Sequence, residues 1–310
     1  MRRHSLPNRV AEGQLLFPTC AALATLLWWF PVDSLDWHHI GGWVLCMLTS
    51  YVLTETNNAN QLIRIRTRMV AAVWLILMAT IGSLHPMQHG TLAAFSLAVS
   101  HYMLFRTYQR REPTADTFHA LLFASIASLF VPALVVLLPC YLWYLLVFMR
   151  VMSLRVLSAW LIGVVLPYLF VGAYCVAVED FAFLVDHWHS LTTLGPTLLS
   201  DASCFTLEQK VVLGSVSVVA LWSAIHYLRN YYNDKIRVRM LLYILVFQFV
   251  VIEFTICLQP QWMASLLAPL IVVASPLVAH YFALTPSRFA SILYLLSLVV
   301  LVAQAVLTLF

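Results

Sequence analysis

Apolar runs of about twenty residues recur along this chain and leave little room for any other kind of segment. A helix of that length crosses a hydrocarbon core of roughly 30 Å, and in lipid the helix satisfies its own backbone groups. Of the 310 residues, 62% are hydrophobic and 10% are charged, whereas about 25% are charged in a typical soluble domain. These features exclude a soluble globular enzyme, a disordered chain and a disulfide-stapled secreted module. We expect an all-α, polytopic membrane bundle.

The hydrophobic pattern predicts about eleven transmembrane helices in a single membrane domain, residues 1–310. The predicted spans are 14–31, 38–55, 69–84, 91–105, 117–132, 134–149, 156–177, 210–228, 240–258, 264–283 and 289–309. No small-residue cleavage site precedes the second span, so the first is interpreted as a retained helix and not as a signal peptide.

The basic residues predict the orientation of these spans. With the N-terminus in the cytoplasm, sixteen of the seventeen Lys and Arg residues fall on the cytoplasmic side, and only Lys210 lies outside. Such an excess of Lys and Arg is typical of cytoplasmic loops. The N-terminus is therefore expected to be cytoplasmic.

The apolar segment 117–149 is too long for one crossing, because 33 helical residues would extend about 50 Å. Arg111 and Arg150 are both expected in the cytoplasm, which requires an even number of crossings between them. Pro132 and Pro139 are positions at which the helix can break. Two short spans, or a re-entrant hairpin with its tip near Pro132, satisfy both conditions.

The one long outer loop, residues 178–209, contains the pattern of an interfacial helix near 178–190. Its apolar stripe has helical spacing and consists of Phe181, Leu184, Val185 and Trp188. The polar residues off the stripe are Glu179, Asp186 and His187. Such a helix would lie along the outer membrane surface.

Seven of the thirteen acidic residues lie on the predicted outer face. Asp33 and Asp36 stand in the tight loop after the first span. There a carboxylate could act as general base toward a sugar hydroxyl, or hold a divalent cation that neutralises a diphosphate leaving group. The alternative is that outer loops exclude Lys and Arg and so leave acids behind.

A second candidate on this face is a weak metal site. His85 and His89 share a face if their turn is helical, and His38 and His39 could reach them across the bundle, which would suit zinc or iron. The alternative is that all four are exposed loop histidines.

Four histidines and one glutamate inside the predicted spans are further candidates. Four histidines stand close to cytoplasmic arginines and are expected to reach toward headgroups: His101, His119, His226 and His280. Glu253 is deeper, about 21 Å along the helix from Arg239. It could relay protons, bind a cation or pair with the region of Gln248 or Gln304; a protonated structural glutamate is the alternative.

The cytoplasmic loop after the second span is rich in amide and guanidinium groups. Arg64, Arg66 and Arg68 could bind an anionic lipid or a phosphate, although the positive-inside rule explains them equally well. That rule does not explain the asparagines at 57, 58 and 60. The sequence shows no nucleotide-binding motif and no basic–aromatic surface for nucleic acid.

Residues 114–176 carry a family resemblance. The segment 115–132, the basic loop between Arg150 and Arg155, and the Gly-to-Pro span 160–168 resemble an uncharacterised bacterial multi-pass inner-membrane family. They more distantly resemble GT-C-type glycosyltransferases and polysaccharide-polymerase-like membrane proteins. The resemblance implies a bacterial inner-membrane location and a catalytic acid in the first outer loop, here Asp33 or Asp36. They are spaced D-x-x-D, unlike the usual adjacent or once-spaced acidic pair.

Three functions are therefore predicted. The first is the handling of a lipid-linked glycan or lipid, for example a polyprenyl-phosphate lipid, at the outer leaflet, with an acceptor groove lined by Glu179, Asp186 and His187. The second is a transporter or flippase that uses Glu253. The third is a non-catalytic membrane subunit of an envelope complex, held by a protein partner.

Overall fold

The structure, a computed structural model, describes residues 5–30, 36–192 and 205–309, which form thirteen α-helices and no strand. The helices are α1 Leu6–Glu12, α2 Leu16–Trp29, α3 Trp37–Asn60, α4 Met69–Ala79, α5 His89–Arg106, α6 Thr114–Phe130, α7 Leu137–Trp143, α8 Leu154–Val178, α9 Ala182–Thr192, α10 Leu207–Asn230, α11 Ile236–Leu258, α12 Met263–Leu284 and α13 Arg288–Leu309. The predicted all-α class is confirmed.

Five helical segments are long and apolar enough to cross a membrane: Leu154–Val178, Leu207–Asn233, Ile236–Leu258, Pro260–Leu284 and Arg288–Leu309. The bent pair α1 and α2 makes a sixth if it is counted as one span. Three further apolar helical segments are shorter, namely Met69–Ala79, Thr114–Phe130 and Pro132–Phe148. By length and composition, the described part of the chain thus offers five or six complete crossings where eleven were predicted. These apolar helices indicate a membrane protein.

One end of the bundle gathers the arginine-bearing loops, and we call it the arginine end. It is formed by α1 and by the loops 61–68, 107–113, 149–153, 231–235 and 285–287. Arg64 Nε lies 3.0 Å from Asp234 Oδ1, and the Thr67 hydroxyl donates to the Ala11 carbonyl at 2.6 Å. These contacts join loops that are far apart in sequence.

The opposite end, called the far end, contains the loop 80–88 and the starts of α5, α10 and α12. Gly90 in α5 packs on Ser265 in α12, where an added Cβ would stand 2.7 Å from the Ser265 carbonyl oxygen. The two helices therefore begin side by side and need a small residue at their contact. Lys210, in the first turn of α10, also lies at the far end.

The segment 117–149 breaks directly before Pro132. Val131 has extended backbone angles (φ −129°, ψ 96°), and residues 132–148 continue as a 3₁₀ turn, α7 and one turn of π-helix. Residues 111–114 and 153–155 line one small pocket. The chain therefore leaves and returns at the same end, while Pro139 lies within α7.

Helix α12 is the centre of the bundle. Nineteen of its residues are buried, and it packs against α4, α5, α10 and α11. In contrast, α13 buries only Ala290, Gln304 and Ala305. Because α8 and α13 expose long apolar faces, they form the part of the surface best suited to lipid.

Candidate functional site

An apolar cleft of about 670 Å³ lies between α2, α4, α10, α12 and α13. Its walls are aliphatic and aromatic side chains of these five helices, such as Leu23, Ile76, Val278 and Leu301. We call it the α10–α13 cleft. Its lining is apolar enough to favour a hydrocarbon ligand over water.

The cleft runs along the bundle for most of a membrane thickness. Ser215 of α10 donates to Gln304 of α13 at 2.7 Å, which places the two residues at one level. Lys210 lies five residues beyond that level toward the far end, and Leu293 lies eleven residues toward the arginine end. At 1.5 Å per residue this is about 24 Å, close to the roughly 30 Å of a hydrocarbon core.

Hydrogen bonds within the protein use the hydroxyl groups in the walls of the cleft. Thr19 donates to the Leu15 carbonyl at 2.8 Å, and Ser297 donates to the Tyr294 carbonyl at 2.7 Å. These groups are therefore already satisfied without a ligand. Because Ser215 is also bonded, the walls present mainly carbon to an occupant.

Lys210 is the one charged residue among the described residues that line the cleft. Its side chain is exposed at the start of α10. An apolar slot with an ammonium group at one end is a site suited to an amphipathic anion. A hydrocarbon chain would fill the slot, and an acidic headgroup would meet the lysine.

Helix α1 limits the cleft at the arginine end. The chain turns by 92° between α1 and α2, and Val10 of α1 contributes to the lining. The Asn8 amide donates to the Ala283 carbonyl at 2.6 Å and holds α1 against the end of α12. The slot is thus bounded by protein at this end, and Lys210 lies at the other.

Of the two predicted catalytic acids, the structure describes only Asp36, which does not line the cleft. Asp33 lies outside the described residues. Asp36 is exposed immediately before α3, and its side chain makes no capping hydrogen bond to that helix. Within the described ranges, no group of three or more His, Cys, Asp or Glu side chains is arranged to hold a metal ion.

The three residues predicted to line an acceptor groove point in different directions. Glu179 ends α8 with a left-handed backbone (φ 58°) and is exposed, as is Asp186. His187 is buried, and its Nε2 lies 3.3 Å from the Tyr168 hydroxyl. Burial lowers the pKa of His187 below its usual value. Helix α9 thus directs the histidine inward and the carboxylate outward.

The apolar stripe predicted for this helix faces away from the protein. Phe181, Val185 and Trp188 are exposed, and α9 packs against the 3₁₀ turn Pro132–Val136. An exposed apolar face on a short helix at the end of a bundle fits a helix that rests on a membrane surface.

His85 and His89, the weak metal candidates, lie in different surroundings. His85, in the loop between α4 and α5, is buried with Nε2 3.1 Å from the Ala79 carbonyl oxygen. Its ring stacks on Trp28 with centroids 4.2 Å apart. Burial lowers the pKa of His85 to about 4. His89 begins α5 instead, with its ring 6.3 Å from that of Phe130.

Most of the arginines of the loop 61–68 make contacts within the protein. Arg64 pairs with Asp234, and the Arg68 guanidinium lies over the Phe17 ring at 5.4 Å. Arg66 is exposed. These contacts favour a structural role for Arg64 and Arg68 over the gripping of a free phosphate.

Two of the three asparagines that precede this loop, Asn57 and Asn60, have structural roles. The Asn57 side chain accepts from the Ile63 amide and donates to the Thr67 carbonyl, each at 3.3 Å. Asn60 accepts from Arg237 at 2.7 Å. Together they fix the loop and tie it to the start of α11.

Glu253 does not contact either of the glutamines suggested for it. Its Oε1 accepts from the Ser217 hydroxyl of α10 at 2.5 Å. Gln248 accepts instead from His101, and Gln304 accepts from Ser215. Two of the four span histidines also differ from expectation, because His101 and His280 are buried and do not reach toward headgroups.

The sequence alone did not reveal two features of this site. The only sequence feature that could have pointed to Lys210 is that it is the single basic residue on the predicted outer face. Gly214 lines the cleft, and a Cβ added there would meet no atom within 4 Å. Nothing in the local sequence separates this glycine from a packing glycine.

No family model matches this sequence, and no curated protein or solved structure is found to match it.

Proposed function

We propose that this protein is a polytopic membrane protein that binds a lipid in the α10–α13 cleft. The hydrocarbon chain occupies the apolar slot and an anionic headgroup lies against Lys210. The observation that carries the proposal is the cleft itself, which combines membrane-length apolar walls with a single cation at its mouth. A phospholipid of acidic headgroup and a polyprenyl phosphate share this chemistry.

The proposal includes the finer topology. The three shorter apolar segments, together with α3 and α5, complete further crossings to give the eleven spans, with the arginine end in the cytoplasm of a bacterium and the far end at the outer leaflet. The grouping of arginine-bearing loops at one end supports this orientation through the positive-inside rule. Lys210 then stands at the headgroup level of the outer leaflet.

The proposal extends to chemistry: the protein handles a lipid-linked glycan in the manner of a GT-C-like enzyme. A lipid held beside Lys210 would have its headgroup at the far end, where Asp36 and α9 also lie. In that case Asp33 or Asp36 supplies the base or holds the divalent cation. Loss of glycan transfer in Asp33→Ala or Asp36→Ala, with lipid binding retained, would separate the chemistry from the binding.

Native mass spectrometry of the detergent-purified protein tests the binding site. The probes are phosphatidylglycerol, an isoprenyl phosphate and zwitterionic phosphatidylcholine. We expect adducts of the two anionic lipids, and we expect Gly214→Phe to reduce them about tenfold because the new ring occupies the slot. Lys210→Gln should weaken the anionic lipids and leave phosphatidylcholine unchanged, since only the headgroup contact is lost.

Gly172→Phe is the matched control. Gly172 of α8 also has no atom within 4 Å of an added Cβ, but it lies outside the cleft. It should keep wild-type adducts. Equal amounts of lipid adduct in Gly214→Phe and Gly172→Phe would place the bound lipid elsewhere and contradict the proposal. If the purified protein instead retained a protein partner and only bulk phospholipid, the envelope-subunit hypothesis would be favoured.

A further inference from the structure

A cluster of buried polar side chains lies inside the bundle between α5, α6, α11 and the segment 137–148. His101 donates through Nε2 to Gln248 Oε1 at 2.5 Å. Ser100 donates to the Ala120 carbonyl at 2.6 Å, and its oxygen lies 2.7 Å from the Tyr141 hydroxyl. The cluster is remote from the α10–α13 cleft, and none of its members lines that cleft.

Three polar atoms of this region have no hydrogen-bond partner among the described residues: Thr117 Oγ1, Tyr144 Oη and Gln248 Nε2. All three side chains are fully buried, at 0% exposure. The Tyr144 hydroxyl lies beside the Gln248 side chain, and neither this hydroxyl nor Gln248 Nε2 makes a hydrogen bond of normal geometry within the described residues. Such atoms are costly to leave unsatisfied in a low-dielectric interior.

Unpartnered donors and acceptors that face one another are the usual lining of an internal water site. A buried water typically makes about three hydrogen bonds to groups of this kind. Here an amide donor and a phenol can each bond to one water, and the neighbouring His101 and Tyr141 supply further polar atoms around it. An apolar occupant would leave the same atoms unsatisfied.

The cluster also has a polar approach from the arginine end. Thr117 follows Asp116, whose carboxylate pairs with Arg110 and lies 3.5 Å from Arg106 Nε. One turn deeper on α6, the Ala120 carbonyl accepts from Ser100. Polar groups thus continue from the surface ion pairs to the buried amide.

We propose that this cluster is a hydrated site, in which internal water bridges Gln248 Nε2 and Tyr144 Oη and enters along Thr117 from the arginine end. The site binds water and places it beside His101, deep in the bundle. This assignment is independent of the lipid proposal, because the two sites share no residue.

Radiolytic hydroxyl-radical labelling of the full-length protein in H₂¹⁸O tests the site directly. Radicals formed from bound water oxidise the side chains that touch it, so we expect ¹⁸O on Tyr144 despite its burial. Trp74 is the control, because it is equally buried, its indole N–H is satisfied by the Cys46 carbonyl at 3.0 Å, and indole reacts readily with radicals. Labelling of Tyr144 no greater than that of Trp74 would overturn the proposal.

Tyr144→Phe gives a second, thermodynamic measurement. If water bonds to the hydroxyl, the variant loses that bond and its apparent melting temperature falls by a few degrees. If the hydroxyl is truly unsatisfied, removing it relieves a cost and the melting temperature is unchanged or rises, which contradicts the proposal. The labelling of wild-type protein decides the matter if the variant does not fold.

Discussion

At the arginine end, the side chain of Asp234 joins three parts of the chain. Its carboxylate is almost completely buried, with Oδ1 3.0 Å from Arg64 Nε and Oδ2 3.1 Å from His280 Nε2. The arginine contact is an ion pair without the alignment of a hydrogen bond, since Oδ1 has no hydrogen-bond partner. One acid thereby connects the loop 61–68, the loop 231–235 and the end of α12.

We expect Asp234→Ala to lower the stability of the folded protein by about 1–3 kcal/mol, because it leaves His280 without its acceptor and Arg64 without its ionic partner. Thermal unfolding in detergent measures the effect as a lower apparent melting temperature. Asp186→Ala is the control, since Asp186 is exposed on α9. Equal melting temperatures for the two variants would contradict a structural role for Asp234.

His85 predicts a pH-dependent contribution to stability. Burial lowers its pKa from 6.5 to about 4, so between these values the unfolded chain binds a proton that the folded chain does not. The stabilisation is complete above about pH 6.5 and is lost as the pH falls toward 4. At about pH 5 the loss is about 2 kcal/mol.

The variant His85→Phe keeps an aromatic ring against Trp28 and removes the titrating group. We expect its melting temperature to fall less than that of the wild type between about pH 7.5 and about pH 5. An identical fall in both proteins would assign the pH dependence to other groups.

Single residues were the least predictable part of the structure. The charge pattern explained why Arg64 lies in a loop, but not its pairing with Asp234, which is distant in sequence. The same holds for Ser217 and Glu253, where the sequence suggested glutamines as partners. Polar partners inside a bundle depend on which helices touch and at what height, and neither is encoded in the local pattern.

At the level of elements, the apolar pattern located the long helices well. The predicted span 156–177 corresponds to α8, Leu154–Val178, and the span 264–283 corresponds to α12, Met263–Leu284. The pattern overextended α4, which was predicted to reach residue 84 but ends at Ala79. Apolar residues in a buried turn avoid water as effectively as helical ones, so hydropathy does not mark where a helix ends.

The contact between α6 and α8 depends on one small residue. A Cβ at Gly163 would stand 2.8 Å from both Leu121 Cβ and the Phe118 carbonyl oxygen. Close helix contacts of this kind are common in membranes, where small residues let backbones approach.

We expect Gly163→Ala to destabilise the protein by about 1–3 kcal/mol, because the added methyl group overpacks this contact. Gly172→Ala in the same helix meets no atom within 4 Å and should be neutral or stabilising by up to about 1 kcal/mol. Thermal unfolding of the two variants measures the difference. If Gly163→Ala were as stable as Gly172→Ala, the two helices would not be in the contact described.

At the scale of the whole molecule, the sequence predicted the fold class and the gathering of arginines at one end, but not the α10–α13 cleft. The lining residues come from six helices spread between Val10 and Leu301. Leu, Val and Ile beside a cleft are the same residues that fill a core. Hydropathy therefore cannot distinguish a packed interior from an unfilled one.

The attachment of α13 is strongly asymmetric along its length. Near its C-terminal end, Gln304 accepts from Ser215 and donates to Thr80, and Thr308 donates to the Thr80 carbonyl and accepts from Gly82. Near its start, the one hydrogen bond to another helix among the described residues is a long one, 3.4 Å from the Leu6 amide to the Ser291 hydroxyl. Between them the helix faces the cleft with apolar side chains.

Mechanically, α13 is anchored at residues 304–308 and held more lightly at its start. A rotation about that anchor would widen the slot while the polar contacts of residues 304–308 stay intact. It would break the long Leu6–Ser291 hydrogen bond and separate the rings of Trp222 and Phe289, whose centroids lie 5.1 Å apart. If the cleft binds a lipid as proposed, such a rotation would admit it sideways from the bilayer without unfolding any helix.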